Sequence, residues 1–477
     1  MFSSVLTPSQ IQWIHEASLT ILGRVGVEIP HPEMLRRFAD SGAPVDFQSK
    51  RVKIPADLVA GSLQQAGKQF TIYGRDLTRR ALFGQGKRNY NSTGGQAFWL
   101  EEIGGERRLT TLSEVATAAR FGDALKHIGI VGAMADPPEL PGCYRPVEVM
   151  ATLIKNTTKP IHFWFNNRGA AKYLVDMVIA LRGDEQRAAR YPICYPFLEP
   201  ISPLRFPFEG IDILFETSRL NMPTPVGPMA QLGLSAPATI AGTLAQENAE
   251  ILAGICVTQL LRPGLPVMYS GICHAFDMAT TQLIFSGPEQ VIFGVAMTQM
   301  GKHYGLPVYV NVGLTDSKRP DAQAGLESGA TLVMAAAAAA DVYGHMGISG
   351  VDQAASLDML VLQHEVIAFV ESAMREIEFS DRTLGLEEIA AVAGTGKTFL
   401  DRDHTLEHFR QELWVPALLD RQYYQGWVDS GALSTEDRCR QQKERILRTH
   451  HPDPLPADLA GAVDEIVKAA KRELAPV

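Results

Sequence analysis

Cysteine is scarce in this chain. The five present, Cys143, Cys194, Cys256, Cys273 and Cys439, are odd in number, scattered, and include no CxxC pair. A disulfide framework is therefore excluded as the basis of the fold, and a reducing cytosol fits. Long apolar runs are missing too. The longest, Ala335–Ala340 with its neighbours, is alanine-rich and too short to span a bilayer. The opening MFSSVLTPSQIQWIHEAS turns polar too early for a secretory signal, so a cytoplasmic protein is expected. There is no basic block to mark a nucleic-acid footprint and no acidic tail: 53 acidic and 44 basic residues, net charge −9, are spread along the chain. No glycine-rich dinucleotide fingerprint follows the first expected strand. What is left, 477 residues at 46% hydrophobic and 20% charged, is an ordinary globular composition with material for a large core.

That material is arranged in a rhythm. Leu306–His345 shows it best: a β-branched run at Val308–Asn311, a polar loop, an alanine-rich helix to about Ala340, and a short run ending at Gly344-His345. Strand, crossover helix and strand in that order build parallel sheets. Similar runs recur at Arg88–Thr93, Ile128–Met134, Pro160–Phe165, Pro192–Phe197, Thr224–Met229 and Pro266–Ser270, with helical stretches between them. Several begin on a proline, which at a strand's first residue costs no ladder bond. About eight βα units are many for an open doubly wound sheet and match a closed (β/α)8 TIM barrel. Residues 1–80 are expected as an N-terminal helical cap with a strand such as Phe70–Tyr73, its first helix marked by Thr7-Pro8. The barrel then occupies residues 81–379, with a hairpin at Phe98–Leu109. Residues 380–477 read as a C-terminal helical extension, which hints at a homo-oligomer. Within it Gly394-Thr395-Gly396-Lys397-Thr398 ends like a phosphate-binding loop, but Ala391 stands where the first glycine belongs and no strand precedes it.

In such a barrel the chemistry gathers where the strands end. Those ends are aromatic and poor in charge: Trp164 and Phe165, Phe197 with Glu199, Gln231, Tyr269, Asn311 with Asp316, and His345. A mouth of that kind suits a cation with no proton to give, held over aromatic faces beside a carboxylate. Zinc would need more than Cys273-His274 and His345, and no metal is expected. A Schiff-base aldolase or lyase would need a lysine at a strand end, whereas Lys318 lies in a loop and Lys159 precedes a strand. A non-catalytic barrel that binds the same cation is the other alternative.

Three of these strand ends resemble the trimethylamine methyltransferase family: Asn91-Ser92-Thr93-Gly94-Gly95, Val226–Gly233 (VGPMAQLG), and most specifically Thr315–Glu327 (TDSKRPDAQAGLE). The resemblance runs nearly the whole length. It implies a (β/α)8 barrel that moves a methyl group from an amine nitrogen to a corrinoid, cob(I)alamin, carried by a separate small protein. Founding members carry pyrrolysine, whereas this chain has only standard residues. It is similar to the branch without it, whose members act on glycine betaine, proline betaine or carnitine-like compounds. On that reading Trp164, Phe197 and Tyr269 would cage the ammonium, His345, Gln231 and Asn311 would orient the substrate, and Asp316 and Glu199 would supply countercharge, with His345 and Asp316 closest to the chemistry.

Overall fold

The computed structural model describes residues 3–475. The prolines that open the runs act as acceptors only. Pro160 O accepts from Val131 N (2.8 Å), Pro266 O from Thr224 N (2.9 Å) and Pro307 O from Tyr269 N (2.9 Å). From these starts the strands Thr224–Val226, Val267–Gly271, Val308–Asn311, Val342–Met346 and Asn89–Ser92 pair side by side, all parallel. A parallel bridge between Asn91 and Ile130 carries the ring on to Val131–Gly132, which pairs with Ile161–His162. Residues 192–198 close it: Ile161 N donates to Ile193 O (3.0 Å), and Leu198 bridges Val226. The expected strand at Pro192–Phe197 is therefore an extended segment rather than a regular ladder. Pro196 lacks the N–H that a continuous ladder would need. Eight members in chain order make the (β/α)8 barrel.

Side chains alternate inward and outward along each strand. Ile130, Tyr195, Met268, Ile272, Tyr309 and Val342 fill the barrel's interior as one cluster with Ile72, Ala81 and Phe83. The last three belong to an antiparallel hairpin, Phe70–Tyr73 with Arg80–Phe83. That hairpin is tied to the strand starts through Tyr73 N to Pro192 O and Gly84 N to the Asp341 carboxylate, and so plugs the end opposite the strand termini.

Outside the ring, helices follow the expected positions closely. Helix Ala322–Ala337 is capped by Asp321, helix Arg168–Arg182 by Asn167, and helix Leu357–Ala373 by Ser356. Helix Ile240–Leu261 is buried almost all round, because the N-terminal helices Pro8–Thr20, Pro32–Asp40 and Ala56–Gln65 lie against it. Thr7 and Gln10 form a capping box at the first of these. Beyond Arg375 the regular elements among the described residues are all helices, joined by turns and irregular stretches. Thr435–Thr449 packs on Leu357–Ala373, and Ala457–Leu474 packs on Arg168–Arg182. The Gly394–Thr398 stretch is a turn between two short helices. Among the described residues no helix is long and apolar enough to cross a membrane, and all five cysteines are free thiols.

Candidate functional site

The strand ends open onto one cavity of about 780 Å³, within the range of small-molecule sites. Trp164, Phe165, Phe197 and Phe285 give it aromatic walls, and Glu199, Glu209 and Asp352 give it carboxylates. Gln231, Asn311 and His345 also line it, whereas no lysine or arginine does among the described residues.

Local sequence explains how the aromatic faces are held. The Trp164 indole N–H donates to Gly95 O at 3.0 Å, which fixes the ring's plane. Phe197 lies across Gly227, where an added Cβ would stand 2.5 Å from its ring, so only glycine admits it there. Phe197 also meets Tyr309 edge-on at 5.5 Å. Gly344 brings the backbone close in the same way: a Cβ would fall 2.4 Å from the Tyr309 hydroxyl.

His345 shares a 2.9 Å hydrogen bond with the Tyr309 hydroxyl through Nε2. Tyr309 in turn accepts from the Asn91 amide at 3.3 Å. The same hydroxyl also stands 3.5 Å from the Asn91 side-chain oxygen, so its proton can go to Asn91 or to Nε2 and both histidine tautomers fit the network. Burial holds His345 down to about 4, so it is neutral at physiological pH. Its Nδ1 and the Asn311 side-chain oxygen are both buried without a partner. A buried polar atom left unpaired at a cavity wall suits a ligand.

Glu199 and Asp352 are exposed at the open mouth, with their carboxyl groups partly enclosed by the surrounding protein. That enclosure, with repulsion from Asp352, raises Glu199 to about 7. Enclosure raises Asp352 to about 6, opposed by a 2.8 Å hydrogen bond from Gln96. Neither shift has a basic group nearby to reverse it, so a bound cation would meet an unmatched pair of carboxylates.

Two expected site residues lie elsewhere. Tyr269 points out of the ring. It is fully buried against helix Ile240–Leu261, and its hydroxyl donates to Asn248 at 2.9 Å. The register pairs it with Val308, one residue out of phase with inward-facing Tyr309. Asp316 does not line the cavity. Its carboxylate accepts from Phe285 N at 2.7 Å, and its own N–H donates to Glu327 at 2.8 Å. The distinctive Thr315–Glu327 stretch is thus a self-bonded bracket behind Phe285, with Thr315 also donating to Glu327 at 2.6 Å. Trp164, Phe197, Glu199, Gln231, Asn311 and His345 do come together.

Sequence reasoning passed over Asp352, Phe285 and Tyr309. Asp352 reads as the approach to the last barrel helix, but Val351 and Asp352 both adopt left-handed backbone (φ 59° and 60°) and turn into the mouth. Of the lysines considered earlier, Lys159 is buried and donates to the carbonyls of Gly122, Leu125 and Ile128. Lys318 donates to Asp316 O and lines a separate side cavity. Among the described residues no three His, Cys, Asp or Glu side chains gather as metal ligands.

A buried carboxylate braces the site from behind. Glu247 accepts from Ala230 N (3.0 Å) and Ile272 N (2.9 Å), just past two strand ends. Glu247→Ala would strand both donors, and an unpaired buried donor costs about 1–3 kcal/mol. The expected result is a lower urea midpoint, with stability down by about 2–4 kcal/mol.

A closed parallel barrel whose mouth pairs aromatic faces with unmatched carboxylates defines a (β/α)8 enzyme site shaped for a small cation. The chain belongs to the trimethylamine methyltransferase (MTTB) family, whose model matches residues 2–475, and it is a methyltransferase. Among its relatives, a glycine betaine methyltransferase of Desulfitobacterium hafniense (strain Y51) is 28% identical over 473 residues, covering 99% of this chain and 98% of that one. A trimethylamine methyltransferase MttB of Methanosarcina thermophila is 30% identical over 464 residues, covering 96% and 95%. The solved monomethylamine methyltransferase (MtmB) of Methanosarcina barkeri superposes with a TM-score of 0.51 at 9% identity, over 98% of this chain and 93% of that one, a likeness of fold.

Proposed function

We propose that the protein moves a methyl group from a quaternary amine to a corrinoid, cob(I)alamin, carried by a separate protein that docks at the barrel mouth. One observation carries this reading: the cavity joins aromatic faces and carboxylates with no lysine or arginine. A quaternary ammonium already bears its charge, so its methyl can leave on a neutral amine without proton transfer. The corrinoid co-substrate supplies the nucleophile. The chain's own residues need only hold the cation, fix one methyl toward the opening and keep water out.

Trp164 and Phe197 offer faces to the ammonium. Glu199 and Asp352 supply countercharge. Neutral His345, held by Tyr309, orients the remainder of the substrate and moves no proton near neutral pH. The absence of a lining lysine among the described residues speaks against an imine-forming lyase.

A thermal-shift panel tests the binding half of the reading. Quaternary amines, glycine betaine and trimethylamine-derived compounds among them, should raise Tm in a concentration-dependent way, by about 2.7 kcal/mol of added stability at a hundredfold excess over Kd. Sugar phosphates should leave it unchanged. Stabilisation by sugar phosphates alone would sink the reading.

A further inference from the structure

We propose that the preferred methyl donor is a net-cationic quaternary ammonium whose tail carries a hydroxyl and no carboxylate, of the choline kind. The proposal rests on the methyl-donor reading above and narrows its substrate class.

The cavity's charge is of one sign. Among the described residues its acidic lining groups are Glu199, Glu209 and Asp352, and its only basic lining side chain, His345, is neutral. Arg145, beyond the second strand, does not line the cavity and is paired with Asp136 at 2.9 Å. In a betaine only a few bonds separate ammonium from carboxylate, so both must enter the same cavity. The ammonium would find its countercharge there, but the carboxylate would face further carboxylates with no lysine or arginine to receive it. A site that attracts one end and repels the other discriminates by repulsion as much as by attraction.

The unpaired atoms point the same way. Asn311 offers a buried acceptor, because its amide N–H₂ is within 3.4 Å of His274 while its oxygen has no partner. His345 Nδ1 is a second unpaired atom. The two residues stand at the ends of neighbouring strands, where Asn311 pairs in register with Gly344. A hydroxyl can donate to the Asn311 oxygen. A carboxylate can only accept, and it would set its charge against the Asn311 oxygen.

Isothermal calorimetry on the full-length protein without its corrinoid partner tests this with choline, tetramethylammonium and glycine betaine. At pH 8, where Glu199 and Asp352 are ionised, choline should bind at least about tenfold more tightly than glycine betaine, a difference of about 1.4 kcal/mol. Tetramethylammonium should fall between them, since it keeps the charge and lacks the hydroxyl. Asn311→Ala should weaken choline more than tetramethylammonium and so close the gap between them. Glycine betaine binding as tightly as choline would overturn the charge argument and leave the methyl-donor reading standing. Failure of all three to bind would overturn both.

Discussion

Replacing Glu199 with Gln raises KM for a quaternary ammonium donor by roughly 30-fold and changes kcat little. Glu199 faces the open mouth beside Asp352. Losing one partner of a fully desolvated charge pair costs about 2–5 kcal/mol. Water remaining in the open mouth, and Asp352 beside it, place this loss at the lower end, about 2 kcal/mol, or roughly 30-fold. The asymmetry between the two constants follows from the chemistry. The nitrogen still carries much of its positive charge at the transition state, so the carboxylate steadies the bound donor and the transition state to a similar degree. An interaction felt equally by both appears in KM and leaves kcat nearly unchanged.

The same pair sets a pH dependence. A cation needs the carboxylate ionised, so protonation removes binding as pH falls. Glu199 is raised to about 7 and Asp352 to about 6. Since the two interact, kcat/KM should rise with pH through that interval as a property of the pair. In Glu199→Gln the rise should move down toward the Asp352 value. His345, lowered to about 4, contributes nothing to this limb. A profile flat between pH 5 and 8 would contradict the assignment.

Trp164→Ala should lower kcat/KM by about 10- to 100-fold, with kcat falling as well. A desolvated cation over an indole face is worth about 2 kcal/mol or more. The ring also has a second task. Pinned to Gly95 O and packed near His345 at 5.8 Å between ring centroids, it would, on the proposed function, fix which way the donor's methyl groups point. Loss of that orientation reaches the chemical step. Trp164→Phe, which keeps a face and loses the N–H bond, should recover part of the affinity and less of kcat. Steady-state kinetics on the three proteins separate the two contributions. Unchanged kcat in Trp164→Ala would remove the orienting role.

The barrel was legible because its signals are local. Proline at strand starts, β-branched runs and capping residues each act over a few positions, and together they mark the units in order. The pattern misled most at 192–198, where Pro196 interrupts a run that otherwise reads as a strand, and it overran at Ile128–Met134, Pro160–Phe165 and Thr224–Met229, whose regular ladders span two or three residues. The mouth was legible in part for the same reason: Trp164, Phe197, Glu199, Gln231, Asn311 and His345 stand at strand ends and converge there. Tyr269 was misplaced by the phase of a single strand. An end position does not say which face a side chain takes, and one residue of phase put Tyr269 against Asn248 and Tyr309 inside. Asp316 looked functional because its loop is dense in polar groups, but those groups bond to one another and to Phe285 N. Asp352 was hidden by two consecutive left-handed residues, the first of them β-branched Val351, where such a backbone is least expected.

The central claim is that this mouth holds a permanently charged nitrogen and presents its methyl to a corrinoid. The most direct test is visible absorbance of reduced corrinoid, free or on its carrier protein, mixed with the enzyme and choline, glycine betaine or trimethylamine in turn. The account predicts conversion to the methylated corrinoid with a quaternary amine, dependent on the enzyme and strongly slowed in Trp164→Ala. No conversion with any quaternary amine, or conversion as fast in Trp164→Ala as in the wild type, would contradict it.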